Sequence, residues 1–505
     1  MRQKEMTDVV AKADLKGEKG SRDHEDVVEA EVIKKLNRNL LPLFFLTTVL
    51  CYVDRTNLAF AALQLNKDLG FTEKVYGLGS GIFFIGYSLF QVPSNMILVR
   101  VGAPLWLSVI VISWGFVATL FAGLKTAHEF YILRFLLGVA ECGTFPGMWY
   151  YLSTFYSEKD IGMAYSWVIT GTALSQVIGS PIAAGLLALD GMLGLKGWQW
   201  LFVVEGLPTI LLGFYISRNV CDGPANAKFL TPAERDWLIQ RNAAANAAKS
   251  STTQTSYWDS VFDLRTYHVA AISFLEGTVK NSLLYWCPLI IYSLVGTKSS
   301  PVARKLSEVM LPPPDAEGNA ALVALLTALP FGLAAGWMLL LAKSSQRFGE
   351  RRLHSSIPFL VGAAALTTMA FFMDSDPSAA FVSLLGATIV WGPAGVVYSL
   401  PATFLQGPAA ATGIALINSL ANVGGMVGPT ITGHLKAETG SYESAVLFMA
   451  IVMLAASMLV AVFPIPGAAE TSKSLGSGSG KAVLRLLRIL PAENHDIERA
   501  DRDVV

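Results

Sequence analysis

The chain has 505 residues, of which 53% are hydrophobic and only 15% charged, with a formal net charge of +0 and a mean hydropathy of +0.48. A composition this apolar cannot supply the polar surface of a soluble protein, so the chain reads as a polytopic membrane protein surrounded by a lipid bilayer. The neutral charge balance, without a basic patch interleaved with aromatics, gives no support for a nucleic-acid partner.

Residues 1–39 carry mixed charge, with an acidic stretch from Asp23 to Glu31. They lack an apolar signal-peptide core and are too acidic for a transit peptide. A cytosolic tail is expected, disordered to about Ala30, with the first apolar run as the insertion signal. From there, runs of about 20 apolar residues are cut by charge, glycine and proline. The expected spans are 40–63, 75–98, 103–124, 128–151, 161–188 and 198–217, then 266–294, 319–343, 354–374, 376–399, 406–434 and 441–464. The fold class is therefore an all-α membrane protein, twelve transmembrane helices in two six-helix bundles. The bundles are expected at 40–217 and 266–464, with a central linker at 218–265 and a C-terminal tail at 465–505.

Cations set the expected orientation. With the N-terminus inside, Arg100, Lys159, Arg218, Lys343, Arg347 and Arg351 fall on the cytoplasmic side, so the positive-inside rule favours both termini in the cytosol, with the plasma membrane as the expected location. Arg304 and Lys305, beside the Pro312-Pro313-Pro314 run, lie in a long outer loop that counts for less. In the linker, Thr231-Pro232-Ala233-Glu234 is a capping-box arrangement that opens an expected helix to about Ala248. That helix is expected to tether the two bundles. Beyond Gly467 a Gly/Ser linker precedes Lys481 to Arg488, which reads either as a basic amphipathic segment on the inner leaflet or as an unstructured tail.

The halves echo each other. Pro181-Ile182-Ala183-Ala184-Gly185 in the fifth span is matched by Pro429-Thr430-Ile431-Thr432-Gly433 in the eleventh. Repeated halves around a central pathway are a transporter plan, with the site near the midplane between them.

Four charges at membrane depth carry the chemistry. The first span holds Asp54 and Arg55, and the fourth holds Arg134 and Glu141. A charged side chain in hydrocarbon costs at least ~3 kcal/mol on insertion scales, so something must offset it. Helix rise puts Arg55 ~12 Å and Arg134 ~9 Å below the same surface, with Glu141 ~10 Å deeper. Asp54 points about 100° round the helix from Arg55. Two guanidiniums at similar depth form a clamp suited to a carboxylate. Two carboxylates in a low-dielectric cavity are candidates to bind and release a proton, so that proton and anion travel together. The alternative is that these four residues are ion pairs that only lock the first and fourth helices. The four cysteines, Cys51, Cys142, Cys221 and Cys287, lie in or beside apolar runs without CxxC spacing and read as small core residues; no metal site or cofactor is expected.

These runs resemble a known family. Tyr52-Val53-Asp54-Arg55-Thr56-Asn57, Arg134 through Glu141, Phe145-Pro146-Gly147, Gly197 through Phe202, Glu205-Gly206-Leu207-Pro208, and Asn422 through Pro429 look like the anion:cation symporter family of the major facilitator superfamily, closest to its organic-acid branch of tartrate, phthalate, hexuronate, galactonate and allantoate permeases. The resemblance covers roughly Leu40 to Pro464. It implies alternating access and proton-coupled uptake of a small organic anion. Arg55 and Arg134 would be the substrate-carboxylate and coupling arginines, and Asp54 and Glu141 the protonatable pair. Tyr87 and Gln176 would be pocket residues for substrate hydroxyls, and Asn418 and Asn422 candidates of the same kind, although amides in membrane helices equally serve as interhelical contacts. Two loops depart from the superfamily pattern: Val99-Arg100-Val101-Gly102-Ala103 has no acid, and Gln346 stands where an Asp is expected.

The seventh span adds Glu276 and Lys280, four residues apart, with Tyr285 and Trp286 further out, where they line the same wall or form a rim contact, Tyr285 being a substrate-binding candidate. One reading is an intrahelical pair. The other turns Lys280 to the cavity to hold a second anionic group of a dicarboxylate. An enzyme is not expected, because the six histidines are scattered over tails and helix ends. A proton-independent facilitator or exchanger of organic anions is the alternative function.

Overall fold

The computed structural model describes residues 27–250, 259–295, 318–401, 404–405 and 407–463. Among the described residues every regular element is helical. That is how a chain satisfies its backbone polar groups inside a bilayer, where water does not reach them.

Ten of these helices are long and apolar enough to cross a membrane by length and composition alone. They include the first span, Leu41–Leu69, the second, Glu73–Val101, the third, Ala103–Leu120, the fifth, Glu158–Leu187, and the sixth, Gly197–Asn219. In the other half are the eighth, Gly318–Phe348, the ninth, Leu353–Phe372, the eleventh, Gly407–Thr439, and the twelfth, Glu443–Ala461. The tenth runs from Pro377 to Tyr398 through a 3₁₀ turn at Thr388–Trp391. Two more crossings complete the expected twelve. The fourth is broken into Ala127–Glu141 and Thr144–Phe155, and the seventh, Leu264–Val295, carries Glu276 and Lys280 in its middle. The fourth span was expected to be continuous; the break falls directly after Glu141.

Local chemistry explains the ends. The first span is 29 residues long, about 43 Å at helix rise, and stops at Gly70, whose φ of +64° is open to glycine at no steric cost. The Thr72 hydroxyl caps the second span by accepting the Val75 N–H. Thr126 and Glu129 form a full capping box at the head of the fourth, and the Asp376 carboxylate accepts two N–H groups to start the tenth.

The two ends of the bundle differ. On the far side, opposite the linker, the second and eleventh spans touch backbone to backbone: a Cβ on Gly77 would lie 2.7 Å from the Pro429 carbonyl and 3.1 Å from Cα of Gly433. The Tyr76 hydroxyl donates to the Tyr285 carbonyl at 2.6 Å, the Trp286 indole N–H to the Pro429 carbonyl at 3.1 Å, and Lys74 pairs with Glu438. Toward the linker side Val92, Met96 and Val99 of the second span and Ile414 of the eleventh are exposed. The halves are therefore sealed together on the far side by the second, seventh and eleventh spans. Both prolines of the internal echo, Pro181 and Pro429, sit inside helices that pack against the opposite half, the fifth against the eighth and the eleventh against the second.

The linker helix, Pro232–Ser250, begins at the expected capping box: the Thr231 N–H donates to Glu234 at 2.8 Å and the Glu234 N–H to the Thr231 hydroxyl at 3.4 Å. It docks on the first half. Lys35 bonds Glu234 at 2.6 Å, and Arg241 bonds Glu29 at 2.5 Å and Asp160 at 2.9 Å. Burial pushes the Glu234 carboxyl up, but the Lys35 bond and the Thr231 groups outweigh it and hold the group below its ordinary value. The Glu234 bond in turn raises the Lys35 ammonium. The segment expected to be disordered to Ala30 is already helical from residue 27, with Val32 and Leu36 fully buried. The rest of that tail, the loop with Arg304, Lys305 and the three prolines, and the C-terminal basic segment lie outside the described residues.

Candidate functional site

The first, second and fourth spans build the centre of the molecule. The second and fourth approach closely because glycine lines their contact: a Cβ on Gly138 would lie 2.0 Å from the Phe83 carbonyl. Any side chain there would drive the helices apart and withdraw Phe83 from the charges between them.

Arg55 and Glu141 meet in this space. The Arg55 Nε donates to Glu141 Oε2 at 2.8 Å, and the Cys51 thiol reaches the same oxygen at 3.5 Å. The guanidinium is walled by three rings, with centroids 5.1 Å away at Tyr52, 5.1 Å at Phe83 and 5.0 Å at Tyr87, a geometry that favours a cation on aromatic faces. Arg55 is 8% exposed and Glu141 0%. Each keeps an unused atom, since Arg55 Nη2 and Glu141 Oε1 are buried without a hydrogen-bond partner. Such orphaned groups are expensive in a dry interior and call for a partner, water or ligand.

Arg134 is differently placed. Its Nε donates to the Gly79 carbonyl at 3.1 Å, and its Nη2 to the Ser80 carbonyl at 3.2 Å and the Tyr285 hydroxyl at 3.1 Å. It lies 4.8 Å from the Phe83 centroid, on a ring that also carries Arg55. The two arginines are thus brought together around one phenylalanine, with Arg134 tied to the second and seventh spans through Nε and Nη2 and Arg55 keeping a buried Nη2 without a partner.

Asp54 turns away, as its position round the helix requires, and accepts the Trp114 indole N–H from the third span at 2.9 Å. Tyr87 is buried at the Arg55 site. Gln176 is buried with Oε1 unpartnered, and Asn422 keeps a buried unpartnered Nδ2. Asn418 is half-buried on the same helix as Asn422. Lys280 bonds Glu276 along the seventh span at 3.0 Å, with 19% of its side chain exposed and its Nζ 6.0 Å from the centroid of Tyr398 on the tenth span. Tyr285 is fully buried, joining the seventh span to the second through Tyr76 and to the fourth through Arg134.

Sequence reasoning did not single out Phe83, Trp114 or Glu205 as site residues. Glu205 lies in the sixth span, 7% exposed, with neither carboxylate oxygen hydrogen-bonded. Its signal was present: an acid at membrane depth is itself a functional candidate.

The arrangement matches known proteins. The sequence profile of the Major Facilitator Superfamily matches residues 44–413. A protein of Agrobacterium vitis named "Putative tartrate transporter" is 37% identical over 88% of this chain and 94% of its own length. The "Quinolone resistance transporter" of Acinetobacter baumannii is 32% identical over 84% of this chain and 93% of its own. Among solved structures, the inward-open xylose transporter XylE from E. coli aligns with a TM-score of 0.65 at 13% identity over 86% of this chain and 97% of that one. These similarities agree with the twelve-helix fold and with the direction of the organic-acid branch, and make the protein a membrane transporter rather than an enzyme. The chain belongs to the Major Facilitator Superfamily.

Proposed function

We propose that the protein is a proton-coupled symporter of a small organic anion that works by alternating access, with the linker side and both termini in the cytosol of a plasma-membrane protein. The observation that carries this reading is the buried Arg55–Glu141 pair, 2.8 Å long, with one unpartnered nitrogen and one unpartnered oxygen. An incoming carboxylate competes with Glu141 for the guanidinium. Once displaced, Glu141 is a lone buried carboxylate, and breaking a buried pair in this way costs about 3–5 kcal/mol unless the charge is removed. Proton uptake removes it, so anion and proton enter together and leave together. The name of the tartrate relative supports an organic acid as the cargo. Tyr87, Gln176, Asn418 and Asn422 are assigned to its hydroxyls, Arg134 and Tyr285 to linking the site with the seventh span, and Asp54 with Glu141 to proton coupling. The linker at 218–265 tethers the halves at 40–217 and 266–464. The four charges are then more than a lock between the first and fourth helices.

The test is uptake by purified protein in liposomes from a panel of labelled organic acids under an imposed pH gradient, native against Glu141→Gln. Gradient-driven accumulation lost in the variant with counterflow retained is the expected result. Gradient-independent equilibration by the native protein would replace this reading with a facilitator or exchanger.

A further inference from the structure

Lys280 and Glu276 have no place in the exchange between Arg55, Glu141 and a single carboxylate. They sit one turn apart in the middle of the seventh span and pair at 3.0 Å. The side of that helix that packs on the eleventh is set by Phe274 and Thr278, whose carbonyls would lie 2.2 Å and 2.1 Å from a Cβ on Gly424 and on Gly428. Lys280 points more than about 100° round the helix from both. It meets the tenth span instead, with its Nζ 6.0 Å from the Tyr398 centroid. Both side chains lie deep within the protein, yet Tyr398 is 47% exposed and the Lys280 side chain 19%. Their open faces therefore look into a water-accessible space inside the bundle and not into lipid. The first span packs on the seventh and borders the same space through the half-buried Tyr52, which is close enough for its charge to bear on both Lys280 and Tyr398. The Tyr52 ring is also one of the three that wall Arg55, at 5.1 Å. Tyr52 thus has Arg55 of the first half against its ring and Lys280 of the second half within electrostatic reach.

The pair itself decides when Lys280 can hold an anion. Joined to Glu276 it carries no net charge, so the ammonium attracts a carboxylate fully only once Glu276 is neutral. Glu276 is 1% exposed, and among the described residues Lys280 is the one cation bonded to it. The neighbouring elements offer no substitute. His434, Lys436 and Glu438 of the eleventh span and Glu443 of the twelfth lie at the far-side ends of their helices, and Lys343 and Arg347 of the eighth at the linker end. The short helix Asp259–Phe262 brings Asp259 at the linker end, and the tenth span brings Asp376 at its cap and Tyr398. On the first span Arg55 is bonded to Glu141 and Asp54 to the Trp114 indole, which leaves Cys51 and Tyr52. Along its own helix Arg265, Tyr267 and His268 are two turns or more toward the linker, and Tyr285, Cys287 and Tyr292 two turns or more toward the far side. An ionised Glu276 that loses Lys280 is therefore a lone buried carboxylate, far more costly than the neutral acid.

We propose that Lys280, with the Tyr398 ring as its wall, is a second anion subsite in the second half, and that the cargo is a dicarboxylate with one carboxylate on Arg55 and the other on Lys280. Glu276 takes up one further proton as it gives up the lysine. The proton rests on the symport reading; the subsite does not. The charges balance: the second carboxylate adds one negative charge to the cargo and Glu276 adds one proton, so a diacid and the matching monoacid move with the same net charge.

The test gives the full-length protein in liposomes labelled tartrate, succinate and glutarate, each beside its own monoamide, which keeps the carbon chain and loses the second charge. Counterflow reads binding. One or more of the diacids is expected to bind about 10- to 150-fold more tightly than its monoamide, the worth of one charge-assisted hydrogen bond, and the preference should grow as pH falls. Lys280→Met is expected to erase the preference. Glu276→Gln should keep it and make it independent of pH. A pair that only braces the helix gives another pattern, with no preference in the native protein and equal damage from either variant, and that result overturns the proposal. Lys280→Met leaves Glu276 unpaired; if that variant does not fold, the double variant Lys280→Met with Glu276→Gln removes both charges and carries the same comparison. Under a gradient of one pH unit the diacid should accumulate about ten times further than its monoamide, and Glu276→Gln should remove that factor. Equal accumulation of the two by the native protein overturns the further proton. Diacid preference without gradient-driven accumulation of either compound sinks the symport reading and leaves the subsite standing. Gradient-driven accumulation with a preference that survives Lys280→Met does the reverse.

Discussion

The far-side seal makes a sharp prediction at Gly77. An alanine there places a methyl group 2.7 Å from the Pro429 carbonyl and 3.1 Å from Cα of Gly433, both backbone atoms held inside long helices, with the Trp286 ring at 3.3 Å on the third side. None of these can swing away as a flexible side chain would, so the second and eleventh spans must separate by several tenths of an ångström. Overpacking of this kind costs about 1–3 kcal/mol. In the alternating-access cycle proposed above, the cost falls on the state in which the helices touch and not on one in which they part. The equilibrium should therefore move toward the far-side-open form by about 5- to 150-fold. Distances between spin labels on cysteines placed at the exposed positions Lys67 and Ala437 read the seal directly. The half-buried Cys221 is first replaced by serine, because the other three native cysteines are buried. Gly77→Ala should broaden and lengthen the distance distribution, and it should slow uptake by holding the cavity open to the wrong side. An unchanged distribution in a folded, correctly inserted variant would refute the argument that these two backbones gate the far side.

Two further outcomes are expected. Lys280→Met should raise the KM for dicarboxylates about 10- to 150-fold, the equivalent of one charge-assisted bond of about 1.5–3 kcal/mol, while monocarboxylates are transported nearly as before; equal losses for both classes would return Lys280 to a purely intrahelical role. Docking of the linker helix should depend on acid. Because the Glu234 carboxyl is held below its ordinary value, its bond to Lys35 contributes above that value and is lost as pH falls through the lowered one, so hydrogen exchange in residues 232–243 should quicken at acid pH and Glu234→Gln should abolish that pH dependence.

Hydropathy carried most of the architecture. Runs of about 20 apolar residues placed all twelve crossings within a few residues, because the bilayer thickness imposes the length directly. The capping box at Thr231 was legible for a similar reason, since it is made entirely by residues three apart. The break at Cys142-Gly143 was not, because it depends on close contact there: a Cβ on Gly143 would lie 2.1 Å from the Ser94 hydroxyl. The charges divided along the same line. That Asp54 and Arg55 diverge follows from 100° per residue, but that Asp54 ends on Trp114, 60 residues away, while Glu205 ends on nothing, is settled by how the first, third and sixth helices pack. From the sequence Arg134 reads as half of an anion clamp. Its Nε and Nη2 meet the carbonyls of Gly79 and Ser80, contacts that no residue pattern reveals.

Phe83 and Gly77 are six residues apart on one helix, about 9 Å at helix rise. The ring at one point lies 5.1 Å from one guanidinium and 4.8 Å from the other, and the bare backbone at the second point closes the far side. The second span is therefore a lever. A shift of Arg55 against the Phe83 ring that moves the helix would reach the contact at Gly77 along the same element, Glu73–Val101, with no second element to relay it. Occupancy and gating are read by one rigid body, so a variant that loosens the grip of Phe83 on the arginines should leave binding and closure intact as separate events and lose the link between them.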